Sequence, residues 1–227
     1  MTPDSPERQQ RAASAETDDW STLSDELLQG LVHALNNRVA ALSAFVELAR
    51  FEDEDADPLV VLPEEIEQLH RVNGLFALLP SRGSEPEALE LPLVLDDALR
   101  LHAHHPRLRG ESCVVVHEGT PLPVRAPRWA LFRALLMLVH AARRSSDTVQ
   151  GRGGSPLRVV GDASFVSVHV GSTAEPSAYL RSLAERCGGS CAREGDELVL
   201  RLPSILELRR RERASQGKDG ERDERLG

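Results

Sequence analysis

One histidine stands out by the company it keeps. Residues 31–42 read Leu-Val-His-Ala-Leu-Asn-Asn-Arg-Val-Ala-Ala-Leu, which sets His33, Asn36 and Asn37 inside an apolar helical repeat. A neutral imidazole has a nucleophilic nitrogen near physiological pH and can carry a phosphoryl group covalently. On a helix advancing by about 100° per residue, Asn37 falls one turn beyond His33 on the same face. Leu28, Val32, Leu35, Val39, Leu42 and Val46 share another side, and His33 points away from it. The histidine face also carries Glu26, Gly30, Ala40 and Ala44. Its small side chains would let a second protein bring a phosphoryl group within reach of the ring.

The elements that must hold this face follow from periodicity. Leu28, Leu35, Leu42 and Ala49 recur every seven residues with Val32, Val39 and Val46 beside them, predicting one long helix from about Thr22 to Arg50. Thr22, with Asp25 three residues on, is a plausible start. Residues 51–58 form an acidic connection in which Asp57 and Pro58 suit the opening of a second helix, running to about Leu79. Its stripe is Leu62, Ile66, Leu69, Val72 or Asn73, Phe76 and Leu79. Pro80 to Gly83 break it. Two long stripes on an antiparallel hairpin cannot bury each other completely, so pairing with a second copy as a four-helix bundle, a homodimer, is expected.

Beyond residue 87 the pattern turns to mixed α/β. It reads as a helix over 92–102, a buried strand over 113–116, a helix over 127–144, strands over 157–160 and 165–170 about a Gly161-Asp162 turn, a helix over 176–186 and a strand over 197–202. The fold class is therefore α+β: a helical hairpin over residues 20–80, then an α/β sandwich over 81–206 with helices on one face of a mixed sheet. Residues 1–19 are polar and aperiodic and are expected to be a disordered arm. Residues 207–227 are expected to be a charged, disordered tail interrupted by Gly217 and Gly220.

Composition excludes several classes. The 227 residues carry a formal charge of −9, which argues against a broad nucleic-acid footprint. No run is long and apolar enough to span a bilayer and no secretion signal is evident, so no membrane association and a cytoplasmic location are expected. Cys113, Cys187 and Cys191 form an odd, sparse set better suited to reduced thiols than to disulfides or zinc. His102, His104 and His105 have the spacing of a solvated helix end, so no metal site is expected; His140 reads as a partly buried packing residue.

Residues 33–42 resemble the phosphoacceptor box of two-component sensor histidine kinases, in the variety where two asparagines follow the histidine. In that family the box lies on the first helix of a dimerising hairpin and an ATP-binding α/β domain follows. The hairpin and mixed domain read above come in the same order, so the resemblance covers roughly residues 23–203. Ala184-Glu185-Arg186-Cys187-Gly188-Gly189 and Leu198-Val199-Leu200-Arg201-Leu202-Pro203 resemble the family's closing glycine turn and strand. The resemblance implies His33 as phosphoacceptor, Asn37 as a group orienting water or phosphate, and Glu26, Gly30, Ala40 and Ala44 as a docking face for response-regulator receiver domains.

Other family features are missing. Met137 and Ala141 stand where the family has asparagines that hold Mg²⁺ and phosphate, and neither offers oxygen to a hard cation. Residues 166–176 lack the adenine-binding aspartate and any Gly-x-Gly. Ala34 replaces an acidic residue that helps deprotonate the histidine, and Arg38 replaces a common proline, so the helix should run without a kink. The expectation is a histidine phosphotransferase working between receiver domains, with no nucleotide cofactor and with Mg²⁺ supplied at the receiver. A non-catalytic pseudokinase that binds a kinase or receiver, and a divergent ATP-dependent histidine kinase, are the alternatives.

Overall fold

Helix α1 (Pro6–Leu48) and helix α2 (Pro58–Phe76) lie side by side and form the predicted hairpin in a computed structural model of the chain. The structure describes residues 6–48, 58–79, 85–108, 113–146 and 156–223, with the side chains of 6–19, 48, 58–61, 145–146 and 215–223 left undescribed. The acidic connection, including Asp57, lies outside these residues. Pro58 opens α2, where its missing N–H costs nothing, whereas Pro63 sits further in and removes one backbone donor. Arg38 on α1 reaches across to Glu65 on α2 with both carboxylate oxygens at 3.0 Å, tying the two helices together within the histidine box. Among the described residues no helix is long and apolar enough to cross a membrane.

The helix departs from expectation at its start. Instead of a disordered arm up to residue 19, α1 already begins at Pro6. Glu7, Arg8, Gln9, Gln10, Arg11, Ala12 and Ala13 are all good helix formers, so propensity sustains the backbone where no apolar stripe does. At the other end, helix α6 (Ile205–Asp223) replaces the expected disordered tail and runs through Gly217 and Gly220. Glu207 and Arg211, one turn apart at 2.9 Å, support its first turns, and Ser204 caps it by accepting from the Glu207 N–H at 3.1 Å.

Between these lies the α/β unit. Strand β1 (Glu87–Leu89) leads into helix α3 (Leu91–His102). Strands β2 (Val115–Gly119) and β3 (Val124–Ala126) precede helix α4 (Arg128–Ser146). Strands β4 (Leu157–Gly161) and β5 (Phe165–Gly171), helix α5 (Ala178–Arg186), and strands β6 (Ser190–Glu194) and β7 (Glu197–Pro203) complete it. The main sheet has the order β2-β4-β5-β7-β6, with β2 parallel to β4 and the other pairs antiparallel. The β1–β3 pair forms a separate small sheet. Leu157 and Val159, Val166, Val168 and Val170, and Leu198, Leu200 and Leu202 are buried at alternate positions, giving one sheet face to the helices. Opposite it, Arg158, His169 and Glu197 form a polar cluster, with Arg158 donating to Glu197 at 2.7 Å. This is the predicted two-layer α+β arrangement.

Three details correct the sequence reading. The strand expected to be buried over 113–116 is instead β2, an edge strand with Val116 38% exposed. β6 lies where only a glycine break was expected. That break is real: Gly188 takes φ +73°, and the Gly189 N–H returns to the Ala184 carbonyl at 2.9 Å, closing α5 before β6. Finally, α1 has a second apolar side. Leu23, Leu27 and Leu31 are 0–3% exposed and join the core, whereas Leu28, Val32, Val39 and Val46 of the expected stripe are 37–51% exposed. The face used within the chain is turned by about 100° from that stripe.

One continuous core runs from α1 through α3, α4 and α5 to the sheet. α4 is central: Leu131, Phe132, Leu135, Leu136, Leu138 and Val139 are buried around nearly its whole circumference. Its Arg133 pins the hairpin to the α/β unit. The guanidinium donates to Leu79 O in the turn just beyond α2 (2.9 Å) and to Tyr179 Oη on α5 (3.0 Å), and stacks over Trp20 of α1 at 4.7 Å. Truncation would leave the buried Leu79 carbonyl unpaired and open a void. Arg133→Ala should therefore cost about 2–4 kcal/mol, read as a lowered urea midpoint. Lysine should rescue little of this, since it cannot bridge two acceptors and stack at once.

Candidate functional site

His33 emerges with an exposed side chain, about 160° round α1 from the buried Leu31. Asn37, also exposed, sets its amide nitrogen 3.3 Å from His33 Nε2. An amide that donates to Nε2 requires the ring to be neutral with its proton on Nδ1. The Nε2 lone pair is then the available nucleophile, held among the described residues by Asn37 through a long and readily broken hydrogen bond. Asn36 is exposed as well.

The rest of the expected docking face divides. Ala40 and Ala44 are exposed, as expected. Glu26 and Gly30 are not free, because the segment after α3 covers them. Glu26 Oε2 accepts from His105 Nε2 at 2.9 Å, and Arg107 lies 3.6 Å from its other oxygen. Gly30 is buried against the His104 backbone; a Cβ there would lie 1.8 Å from the His104 carbonyl oxygen. No sequence signal announced this contact, because the partners are far apart in the chain and neither segment is apolar enough to mark an interface.

Beside Asn37 a cleft of about 1090 Å³ opens between α1, α2 and α3, lined by Ala34, Arg38, Arg71, Asp97, Arg100 and His104 among others. Its cations are largely matched in place. Arg38 pairs with Glu65, Arg71 with Glu67, and Arg100 with Asp96.

A second cavity, of about 710 Å³, lies where α1 meets the α/β unit. Met137 and Ala141 line it, as do Thr22, Leu23 and Glu26 from α1 and Ser172 to Ser177 from the segment after β5. Its two carboxylates are engaged, Glu26 by His105 and Arg107, and Glu175 by Arg193 at 3.1 Å. Met137 and Ala141 add a thioether and a methyl group. Donors of this kind do not suit Mg²⁺, which takes oxygen ligands.

The histidines near residue 105 overturn the expected solvated helix end. His102 is 0% and His105 2% exposed, and both pack against His140. Burial is the reason: α1 closes over the end of α3 and brings Glu26 to His105. Among the described residues no group of His, Cys, Asp or Glu is arranged to hold a metal ion. Burial pushes the Cys187 and Cys191 thiols up to about 12 and about 11, so neither is a nucleophile at neutral pH.

A helical hairpin followed by a two-layer mixed α/β unit defines the architecture to which solved structures can be compared. The chain is similar to the histidine kinase AdeS of Acinetobacter baumannii, with 13% identity over 76% of this chain and 98% of that one and a TM-score of 0.40. It is also similar to a bacterial phosphotransferase, with 16% identity over 79% and 95% of the two chains and a TM-score of 0.38. A third similar structure is the histidine kinase ThkA in complex with the response regulator TrrA, with 14% identity over 91% and 69% and a TM-score of 0.41. No protein-family model and no curated protein sequence matches the chain.

Proposed function

We propose that the protein is a histidine phosphotransferase of a two-component phosphorelay, in which His33 takes phosphate from the aspartyl phosphate of one receiver domain and delivers it to another. The observation that carries this reading is the exposed His33–Asn37 pair on the first hairpin helix, within a sequence that resembles a phosphoacceptor box. As the Nε2 lone pair forms the N–P bond, the aspartyl O–P bond breaks and the carboxylate leaves. Nδ1 keeps its proton, so the ring becomes cationic beside the phosphoryl anion. Delivery is the reverse, onto a second aspartate. Phosphoryl transfer of this kind depends on positioning and charge stabilisation, with Mg²⁺ held at the receiver. Docking would use the open part of the face around Ala40 and Ala44, since Glu26 and Gly30 are occupied within the chain.

In this reading the phosphate does not come from ATP. Support comes from Met137 and Ala141 in the second cavity, from the two engaged carboxylates beside them, and from α1 forming part of the cavity wall. Incubating the protein with labelled ATP, and separately with a labelled phospho-receiver, tests the assignment. Label should arrive from the receiver alone. Label from ATP would reinstate a divergent kinase, and none from either would favour a pseudokinase.

A homodimer completes the reading. Leu28, Val32, Val39 and Val46 leave an apolar seam with four- and seven-residue spacing on the solvent side of α1, joined by Ile66 of α2 at 45% exposure. A second hairpin would cover it as a four-helix bundle. Val39→Glu should then convert a dimer to a monomer in sedimentation equilibrium while leaving far-UV circular dichroism intact. A wild-type chain that sediments as a monomer at tens of micromolar would refute the bundle.

A further inference from the structure

Where the hairpin meets the α/β unit, three imidazoles and a carboxylate gather that the phosphate chemistry does not use. His102 and His105 come from the end of α3 and just beyond it, His140 from α4, and Glu26 from α1. The ring centroids lie 5.1, 5.4 and 5.3 Å apart, with His102 and His105 stacked. His102 Nε2 and His140 Nδ1 are 3.1 Å apart, so one must donate and the other accept. Two protonated rings could not make this contact. His102 is fully buried, and its Nδ1 has no hydrogen-bond partner among the described residues. His105 donates from Nε2 to Glu26, while its Nδ1 accepts from the Arg107 backbone N–H at 3.3 Å, the pattern of a neutral ring. Protonating that Nδ1 would break the Arg107 contact.

The charges facing the cluster favour neutral rings. Among the described residues, Arg107 comes from the segment after α3 and Arg143 and Arg144 from α4, and Glu26 of α1 is the carboxylate that acts on the cluster. Each added proton would place more positive charge at a buried junction already facing arginines.

We propose that His102, His105, His140 and Glu26 form a proton-sensitive latch that holds α1 on the α/β unit while the rings are neutral and releases it when the cluster takes up protons. The proposal goes beyond phosphotransfer and does not depend on it. Release would also remove the α1 wall from the second cavity, to which Glu26, His105 and His140 all contribute.

The titration has a definite sign. Burial, with Arg143 as the next cause, depresses His102 to about 2. Burial, with His105 and Arg144 behind it, depresses His140 to about 4. Burial also lowers His105, outweighing the favourable Glu26 partner. In the released state each ring returns towards the ordinary histidine value of about 6.5. Docking is therefore complete above about pH 6.5 and weakens as pH falls towards the docked values, by up to about tenfold per pH unit for each ring.

Trp20 supplies the readout, since on α1 it lies 6.0 Å from Tyr179 of α5 and under Arg133 of α4. In full-length Trp129→Phe protein it is the sole tryptophan. Its emission should shift to the red between pH 6.5 and 4.5 while far-UV circular dichroism stays native. In a further His105→Gln/His140→Asn variant, the midpoint should fall by a unit or more. Emission that stays flat to pH 4.5, emission that changes only together with loss of helix, or an unchanged midpoint in the histidine variant would each overturn the latch. Should the histidine variant fail to fold at pH 7.5, the steepness of the parent curve decides: uptake of one or more protons per opening supports the latch, and uptake of less than one refutes it.

Discussion

Replacing His33 with alanine should abolish phosphate acceptance outright, leaving no acid-labile label above background after incubation with a phospho-receiver. The loss is total because, in the proposed reaction, the imidazole is the bond-forming atom's only source on this face. Asn36 and Asn37 provide amides, which are not nucleophiles at neutral pH, and Arg38 is committed to Glu65. Asn37→Ala should behave differently. Once Nε2 attacks, the Asn37 amide is free to donate to a phosphoryl oxygen instead; losing that transition-state hydrogen bond, worth about 1 kcal/mol, should slow transfer by roughly five- to tenfold. Rates from rapid-quench labelling separate the two cases. Equal loss in both variants would mean that Asn37 holds the local structure rather than orienting the reacting groups. Both side chains are exposed, so neither change should alter the stability measured by urea unfolding by more than about 0.5 kcal/mol.

The second large effect is structural and falls on Gly30. On an exposed helix, alanine in place of glycine stabilises by about 1 kcal/mol, because glycine has more conformational freedom to lose on folding. At Gly30 the opposite sign is expected. The new Cβ would sit 1.8 Å from the His104 carbonyl oxygen, and the obstacle is backbone, which cannot rotate aside as a flexible side chain could. Overpacking of this kind costs about 1–3 kcal/mol or more, which exceeds the propensity gain. Gly30→Ala should lower the stability measured by urea unfolding by about 2 kcal/mol, and Gly30→Val by more. If Gly30→Ala instead raised the midpoint, α1 would not rest on the end of α3.

How far the chain could be read in advance depended on how local each determinant was. The hairpin followed from an apolar period sustained over many turns. The β4–β5 turn was legible in Gly161-Asp162, and Asp162 does hold it by accepting from the Ser164 and Phe165 N–H groups at 2.6 and 2.7 Å. α4 was legible because it is apolar on almost every side. By contrast, α1 carries two apolar sides in adjacent residues, Leu27 with Leu28 and Leu31 with Val32. Periodicity registers both without telling which is satisfied inside the chain. β6 buries only Cys191, so it lacked the alternation that marks a strand. His33 is exposed as expected, although the stripe used to place it is itself largely exposed and the buried side of α1 is that of Leu23, Leu27 and Leu31. The burial of Glu26, Gly30, His102 and His105 was not readable in advance, because it arises from segments that meet only once α1 lies over α3.

Arg133, Met137, His140 and Arg144 follow one another along α4 at intervals of four, three and four residues, so a single side of this helix meets Trp20 of the hairpin at one end and, at the other, His102 of the histidine cluster that holds Glu26 of the hairpin through His105. The two points are about 10 Å apart along a rigid rod with a rise of about 1.5 Å per residue. A perturbation at one should therefore be felt at the other without any intervening contact having to break. In a double-mutant cycle, Arg133→Ala and His140→Asn should be non-additive, with a coupling energy of about 1 kcal/mol. On that account α4 is the thermodynamic link between two anchors, and the hairpin detaches from both together or from neither.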